Sequence, residues 1–503
     1  MGKVILCPYC CKRFQPNRVD FRLVRPITES GEETDHSEEV QLPGMGIPNM
    51  VKNKPRTKES SDSKIHDEKL YRYYIDFLNI NESDARNDAY LMPAISPDYQ
   101  SPDLVYDEVS MGRYGYVTEA NYKGQVLNKR LCPHCHNPII DGAGKYDMFL
   151  ISVIGDTNVG KTVYLTVLQE MLKRDQFKGT MQFMGTKLEK ELCFGNIDKL
   201  IHEKKVLDAS ARQKIPPMPF RYTFETADNR EAKSCIIIFC DIAGEDCRNA
   251  ETMEKNGYHI KASSGLLIMI DPTRFNTIKY NTEDGMKIEN RYQLEVITAI
   301  YRFLIANTFE EQTKIPTAII LTKGDVLREM DYFKGEIENG ILAMNNADLH
   351  PGYLNLEETK RLDEVLEQFL KNIGESEFCH NRRLFNTSSF FVCSSLGKNP
   401  EQVDRINYDN MDTFIGINGT IKPYRVAEPF YWLLMQNNII PCKYTERLID
   451  YKGQERVIEL YYYANESKGS LQNRIDALKK SILGHNRILP NLISKLSQII
   501  KRK

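Results

Sequence analysis

Met148-Phe-Leu-Ile-Ser-Val-Ile154 runs directly into Gly155-Asp-Thr-Asn-Val-Gly160-Lys161-Thr162, and Val163 to Lys173 continues with helical spacing. A continuous apolar run of strand length is expected of a central parallel strand covered on both faces. Strand, glycine-bounded loop and helix in that order form a phosphate-binding loop. Gly155 and Gly160 allow a tight backbone path, so the amides of Asn158, Val159, Gly160, Lys161 and Thr162 point inward at a β-phosphate. Lys161 is placed to bridge β- and γ-phosphates, and the Thr162 hydroxyl to ligate Mg²⁺.

Working outward, Phe220 to Thr226 alternates with period two, Asp228-Asn229 supplies a turn, and Cys235 to Cys240 is a second buried run. That run ends in Asp241-Ile-Ala-Gly244-Glu245-Asp246. An acidic residue at the carboxyl end of a buried strand, three before a glycine, suits Asp241 to the Mg²⁺ environment. The Gly244 amide can then meet a γ-phosphate, ordering the loop behind it. Gly265 to Ile270 and Pro316 to Leu321 are two more core strands. The second delivers Thr322-Lys323-Gly324-Asp325 at its carboxyl end, where open α/β sheets bind ligands.

The Asp325 carboxylate can accept from both guanine N1–H and the 2-amino group. Adenine has neither, so the element selects guanine for a chemical reason, with the Lys323 stem covering the base. A last strand, Ser389 to Cys393, leads into Ser394-Ser395-Leu396-Gly397, whose amides suit guanine O6. GTP or GDP and Mg²⁺ are the expected ligands.

The five elements resemble the P-loop GTPases of the translation-factor and Ras-like class over about residues 146 to 440. The resemblance implies an α/β fold with a Ras-like, mostly parallel sheet that carries one antiparallel hairpin strand. The zinc-type cysteine pairs described below, the Asp-x-Ala-Gly-Glu-Asp segment and Val426-Ala-Glu-Pro-Phe-Tyr-Trp432 resemble a bacterial subgroup of double-GTPase proteins from predicted conflict or defence gene clusters. Two departures stand out. Glu245 replaces the glutamine that orients water in Ras-like enzymes, which implies slow hydrolysis that depends on a partner; Lys161 and Glu245 are the catalytic candidates. The segment Leu207 to Pro217 lacks the threonine expected of the first switch, leaving Ser210, Arg212 and Lys214 as substitutes. Potassium-activated members carry an asparagine at the position of Asn158, so a K⁺ site is one reading of that residue and a small turn former the other.

In front of this core, Cys7-Pro-Tyr-Cys10 and Cys132-Pro-His-Cys135 form two matching pairs. Each such turn aims two thiolates at one point, and two facing turns build a tetrahedral sulfur site for structural Zn²⁺. Redox dithiols or unrelated turns are the alternative. Cys11, His134 and His136 read as bystanders, and the other seven cysteines as buried thiols. Residues 1–27 and 124–145 would be the halves of a split ribbon. Between them, 28–66 is too polar to bury a core and reads as disordered, and 67–123 as a small α+β insertion. The GTPase region spans 146–440, and 441–503 holds a hairpin and amphipathic helices, with Pro490 as a break.

Composition sets the remaining limits. The 503 residues are 41% hydrophobic and 27% charged with a net charge of −2, which gives no global field for nucleic acid. Lys12, Arg13, Lys129 and Arg130 near the knuckles form a thin patch that reads as a solvated face; a nucleotide-gated nucleic-acid module is the rival. No run is long enough to span a bilayer, the start lacks a signal-peptide stretch, and Leu6 breaks the myristoylation pattern. A cytoplasmic setting follows, with thiols rather than disulfides. The expected partner is a protein effector or activator, with a nucleotide-dependent homodimer as a further option. A catalytically inactive scaffold with the same fold is the other alternative.

Overall fold

A computed structural model describes residues 2–24, 94–96, 104–106, 115–122, 124–174, 179–207, 215–248, 250–275, 278, 291–306, 312–328, 330–333, 353–407, 410–449 and 454–483. The expected disordered segment 28–66, the first-switch candidates Ser210, Arg212 and Lys214, and the tail beyond Leu483 lie outside them. The chain divides into two compact units, Met1–Val4 with Phe14–Ile139, and Ile5–Arg13 with Ile140–Lys503.

The first unit is built from short antiparallel strands. Asp20–Arg22 pairs with both Ala94–Ile95 and Arg130–Leu131, and Val117–Tyr122 pairs with Leu104–Tyr106 and Gln125–Leu127. Its small core holds Val19, Phe21, Val117, Leu127 and Leu131, all buried. Of these strands Ala94–Ile95, Leu104–Tyr106 and Val117–Tyr122 fall within the insertion 67–123, whose first part, 67–93, lies outside the described residues.

The second unit centres on a seven-stranded sheet. Its strands in chain order are β1 (Asp147–Gly155), β2 (Thr180–Phe183), β3 (Met218–Thr226), β4 (Asn229–Asp241), β5 (Gly265–Ile270), β6 (Thr317–Leu321) and β7 (Ser388–Val392). In space they run β2-β3-β4-β1-β5-β6-β7. The five from β4 to β7 are parallel; at one edge β3 pairs antiparallel with β4, and β2 pairs antiparallel with β3 and so runs in the direction of the five. The mixed α/β architecture is the one expected, with β3 as its antiparallel hairpin strand and one edge strand, β2, beyond those expected. That strand, Thr-Met-Gln-Phe, alternates exposed and half-buried side chains; four such residues carry too little pattern to be read as a strand.

The central strands are covered on both faces, which is why they are apolar throughout rather than alternating. Every residue of β5 and β6 is buried. Helix α1 (Lys161–Met171) follows the phosphate-binding loop, and a helix over Glu428–Gln436 buries nearly its whole circumference against the sheet. There Trp432 meets Phe391 edge-on at 5.7 Å, and Leu433 fills the space over Gly265. Leu356–Asn372 is amphipathic, capped by the Asn355 side chain on the Glu358 amide, with Leu362, Leu366, Phe369 and Leu370 turned inward. With the strands parallel and packed, all loops at their carboxyl ends gather at one edge. The site lies there.

Candidate functional site

A single cavity of about 360 Å³ collects residues far apart in sequence. Thr157 to Val163 line one part of it, Gly244 another, and Thr322, Lys323, Asp325, Ser394, Ser395 and Leu396 a third. The volume falls in the range usual for pockets that take small organic ligands. Of the residues expected from sequence, Asn158, Val159, Gly160, Lys161, Thr162, Gly244, Thr322, Lys323, Asp325, Ser394 and Ser395 face this one space. Gly155, Asp241 and Glu245 stand outside the lining.

The loop's backbone explains its sequence. Asn158 has φ 61° and Gly160 φ 92°, left-handed values that asparagine and glycine tolerate best. This conformation accounts for Asn158 as a turn former. The Lys161 ammonium is buried and donates to the carbonyls of Gly155 at 2.9 Å and Asp156 at 3.0 Å, so its long stem arches back over the loop.

Across from it, the Thr162 hydroxyl donates to Asp241 Oδ2 at 3.3 Å. Asp241 Oδ1 is buried without a hydrogen-bond partner. Burial pushes the Asp241 carboxyl above the usual carboxylate range, and the nearby Lys161 charge opposes that shift. An orphaned buried carboxylate oxygen beside a threonine hydroxyl is a hard-oxygen donor pair, the chemistry that Mg²⁺ takes. The residues present therefore fit the ion, and Thr162 and Asp241 are those that would hold it.

Gly244 rests on the loop itself. A Cβ there would stand 2.3 Å from the Thr157 amide nitrogen and 2.5 Å from the Asp156 carbonyl carbon. Only glycine permits this approach. Glu245 follows it half-buried in the tight turn Gly244–Arg248.

At the far wall, Asp325 begins a short helix, Gly324–Arg328, and the Ser394 hydroxyl donates to its Oδ1 at 2.5 Å. The same hydroxyl accepts the Gly397 amide at 2.9 Å. Ser394 in turn is paired through its backbone with Tyr424, the N–H of each donating to the carbonyl of the other at 3.0 and 2.8 Å. Beyond Tyr424, Arg425 and Glu428 form a buried bidentate ion pair, both contacts 2.7 Å. The Tyr164 hydroxyl, on α1, donates to the Val426 carbonyl at 2.9 Å. The segment from Tyr424 to Glu428 thus ties the Ser394 loop to the helix that follows the phosphate-binding loop.

Val206, Lys398, Asn399 and Pro400 also line the cavity, unexpected from sequence, beside Leu207, the first residue of the segment read as the first switch. Lys398 to Pro400 lead into a hairpin, Glu401–Asn407 and Asn410–Gly416. The Val206 amide donates to the Ile415 carbonyl at 3.0 Å and the Ile417 amide to the Lys204 carbonyl at 2.9 Å. This pairing brings Val206 and Leu207 to the cavity, and no local pattern in the sequence encodes it.

The four cysteines expected to hold zinc lie in two like turns, Cys7 and Cys10 in one unit and Cys132 and Cys135 in the other. Each pair sits in a twin turn: the Cys11 amide donates to the Cys7 carbonyl and the His136 amide to the Cys132 carbonyl, both at 2.9 Å. Cys11 and His136 take matching left-handed φ values of 56° and 55°. Sulfur accepts from the His134 amide and the Asn137 side chain, each at 3.4 Å. Such donors favour thiolate, and an all-sulfur set of four suits Zn²⁺. His136 instead faces Asp20 at 3.4 Å, and the Cys11 thiol faces the Pro8 carbonyl. The remaining seven cysteines are buried thiols.

With this geometry in hand, residues 149–370 match the family model Double-GTPase 2. The matched stretch holds the phosphate-binding loop, Asp241 to Gly244 and Thr322 to Asp325. Among solved structures, half of the chain is similar to each of two. One is the crystal structure of the bacterial selenocysteine-specific elongation factor EF-Sec, 15% identical, covering 50% of this chain and 26% of that one with a TM-score of 0.21. The other is the signal recognition particle receptor SRb-GTP/SRX complex from Chaetomium thermophilum, 11% identical, covering 50% and 92% with a TM-score of 0.23. This chain thus spans about a quarter of the elongation factor's length. No curated protein matches the chain. Among the described residues no helix is long and apolar enough to cross a membrane.

Proposed function

We propose that this chain is a guanine-nucleotide-binding switch that hydrolyses GTP slowly and regulates a partner protein. The observation that carries the reading is one cavity lined at one end by the phosphate-binding loop and at the other by Lys323, Asp325 and Ser394. Asp325 accepts from the guanine N1–H and 2-amino group while Ser394 holds it in place. The amides from Asn158 to Thr162 cradle the β-phosphate, and Lys161 trades its loop carbonyls for phosphate oxygens. Mg²⁺, when bound, supplies further positive charge against the triphosphate. Gly244 presents its amide beside the loop, so the segment behind it senses whether a γ-phosphate is there.

Glu245 supports the slow rate. A carboxylate in place of a water-orienting amide adds negative charge near a transition state that is already anionic, and its side chain lies outside the cavity lining. A partner or a second copy would then complete the site, and the resemblance to conflict-system proteins points to a protein effector in a bacterial defence setting. K⁺ at Asn158 is a further proposal, read as faster hydrolysis in K⁺ than in Na⁺. A cytoplasmic setting fits the reduced cysteines. The second reading, a scaffold that binds nucleotide without turnover, is favoured by the same Glu245.

Competitive binding of GTP, GDP and ATP, with the Asp325→Asn variant alongside, tests the reading. Guanine preference that collapses in the variant supports it; equal ATP binding or none defeats it. Turnover with and without added protein partners separates the switch from the scaffold.

A further inference from the structure

Asp156, the second residue of the phosphate-binding loop, has its carboxylate fully withdrawn from solvent. An anion so close to a phosphate site opposes phosphate binding unless something consumes its charge. Two arginines do so, one at each oxygen. Oδ1 accepts from Arg248 Nε at 2.8 Å and Nη2 at 2.5 Å, and Oδ2 accepts from Arg274 Nη1 at 2.8 Å.

The arginines come from different walls of the site. Arg248 closes the turn Gly244–Arg248, and Arg274 ends the turn Pro272–Arg274 behind β5. Arg274 also donates to the Thr157 carbonyl, and its Nε lies 3.5 Å from Asp271 Oδ2. That same Asp271 oxygen accepts the Lys323 ammonium at 2.5 Å. A continuous line of charge therefore runs from the switch turn through Asp156 and Arg274 to Asp271 and on to the lysine that lies along the base. Asp156, Arg274 and Asp271 are nearly inaccessible, and removing one member of such a set leaves an uncompensated buried charge.

We propose that Asp156 is a positioning residue that couples the phosphate-binding loop to the guanine reader, acting through Arg274 and Asp271, and to the switch turn through Arg248. The proposal rests on the reading that the cavity takes a guanine nucleotide. Asp156 touches neither phosphate nor base; it transmits a displacement of the loop to Lys323. Spatial continuity alone does not establish coupling, so the test measures coupling directly.

The release rate of fluorescent GDP is measured for the full chain, Asp156→Asn, Lys323→Met and the double variant, with circular dichroism melts as the folding control. Independent sites give multiplying effects. Each single change is expected to speed release about tenfold, and the double to speed it by well under the hundredfold product. A purely structural Asp156 lowers the melting temperature and leaves the two effects multiplicative, which overturns the proposal. If Asp156→Asn fails to fold, Arg274→Gln with Lys323→Met repeats the cycle one link further along. A wild type that binds no fluorescent GDP overturns the guanine reading and this inference with it. Binding with multiplicative variants overturns the inference alone.

Discussion

The Ser394 hydroxyl donates to Asp325 Oδ1 at 2.5 Å while it accepts the Gly397 amide at 2.9 Å. Because its one proton goes to the carboxylate, Ser394 fixes the position of the group that reads the base. Removing the hydroxyl leaves Asp325 less restrained. Ser394→Ala should weaken GDP binding by about 1 kcal/mol, roughly fivefold, without admitting ATP. Asp325→Asn should cost about a hundredfold, since it disrupts charge-assisted contacts rather than their support. Calorimetric titration with GDP and ATP checks both. Equal losses in the two variants would mean that Ser394 reads the base itself.

Gly244 allows a second prediction. A methyl group there meets the backbone of Asp156 and Thr157 at 2.3 to 2.7 Å, and a main chain in a glycine-bounded loop cannot step aside as a side chain would. Gly244→Ala should push the switch turn off the loop. GDP binding then persists within a few-fold, while GTP hydrolysis falls at least about tenfold because the γ-phosphate loses its amide contact. Hydrolysis at the wild-type rate would show that this close approach has no part in turnover.

The parts of the site legible in the sequence are those whose chemistry is local. Gly155 to Thr162, Thr322 to Asp325 and each Cys-Pro-x-Cys turn carry their meaning within a few residues, and strands such as Gly265 to Ile270 announce burial by being apolar throughout. Val206 and Leu207 reach the cavity only because Val206 pairs with Ile415, a contact whose partners have no shared pattern. The same holds for Asp156, Arg248 and Arg274. Each looks like an ordinary surface charge until the fold sets them against one another and buries Asp156 and Arg274. Thr180–Phe183 was missed for a different reason, since a half-exposed edge strand of four residues needs its neighbour to define it.

His259 gives a pH dependence. It is enclosed, with Nδ1 2.7 Å from the Ser152 hydroxyl, Nε2 without a partner, and Tyr258 edge-on to its ring. Burial lowers its pKa from 6.5 to about 4. Between those values the unfolded chain binds a proton that the folded chain does not, so stability falls as pH drops from 6.5 to about 4 and levels off below. The contribution is on the order of 3 kcal/mol across that window. Buried carboxyls with raised pKa values, Asp241 and Glu428, act in the opposite direction, so the test is a difference. Urea unfolding from pH 4 to 7 should show a steeper loss in wild type than in His259→Gln. Parallel curves would mean that the imidazole takes up its proton without unfolding.

The cysteine pairs make the last prediction, because the Cys7–Cys10 turn is joined to the segment that follows the switch turn. Tyr9, between Cys7 and Cys10, offers its carbonyl to the Tyr258 hydroxyl at 2.6 Å, and its own hydroxyl lies 3.3 Å from Glu189 Oε2. Any change in how Cys7 and Cys10 are held therefore acts on the backbone that Tyr258 grips. The purified chain should carry one zinc ion by elemental analysis, lost in Cys10→Ser and in Cys135→Ser, because three sulfurs cannot close a tetrahedral structural site. Chelation should raise hydrogen–deuterium exchange in Cys7–Lys12 and in Tyr258–Ala262 together, while GDP binding, which uses none of these residues, stays within a few-fold. Tyr258→Phe should keep the zinc and uncouple the two segments, so that chelation loosens only the first. Exchange that rises in the cysteine turn alone in the wild type would show that the Tyr258 hydrogen bond carries no strain from the metal site to the segment behind the switch.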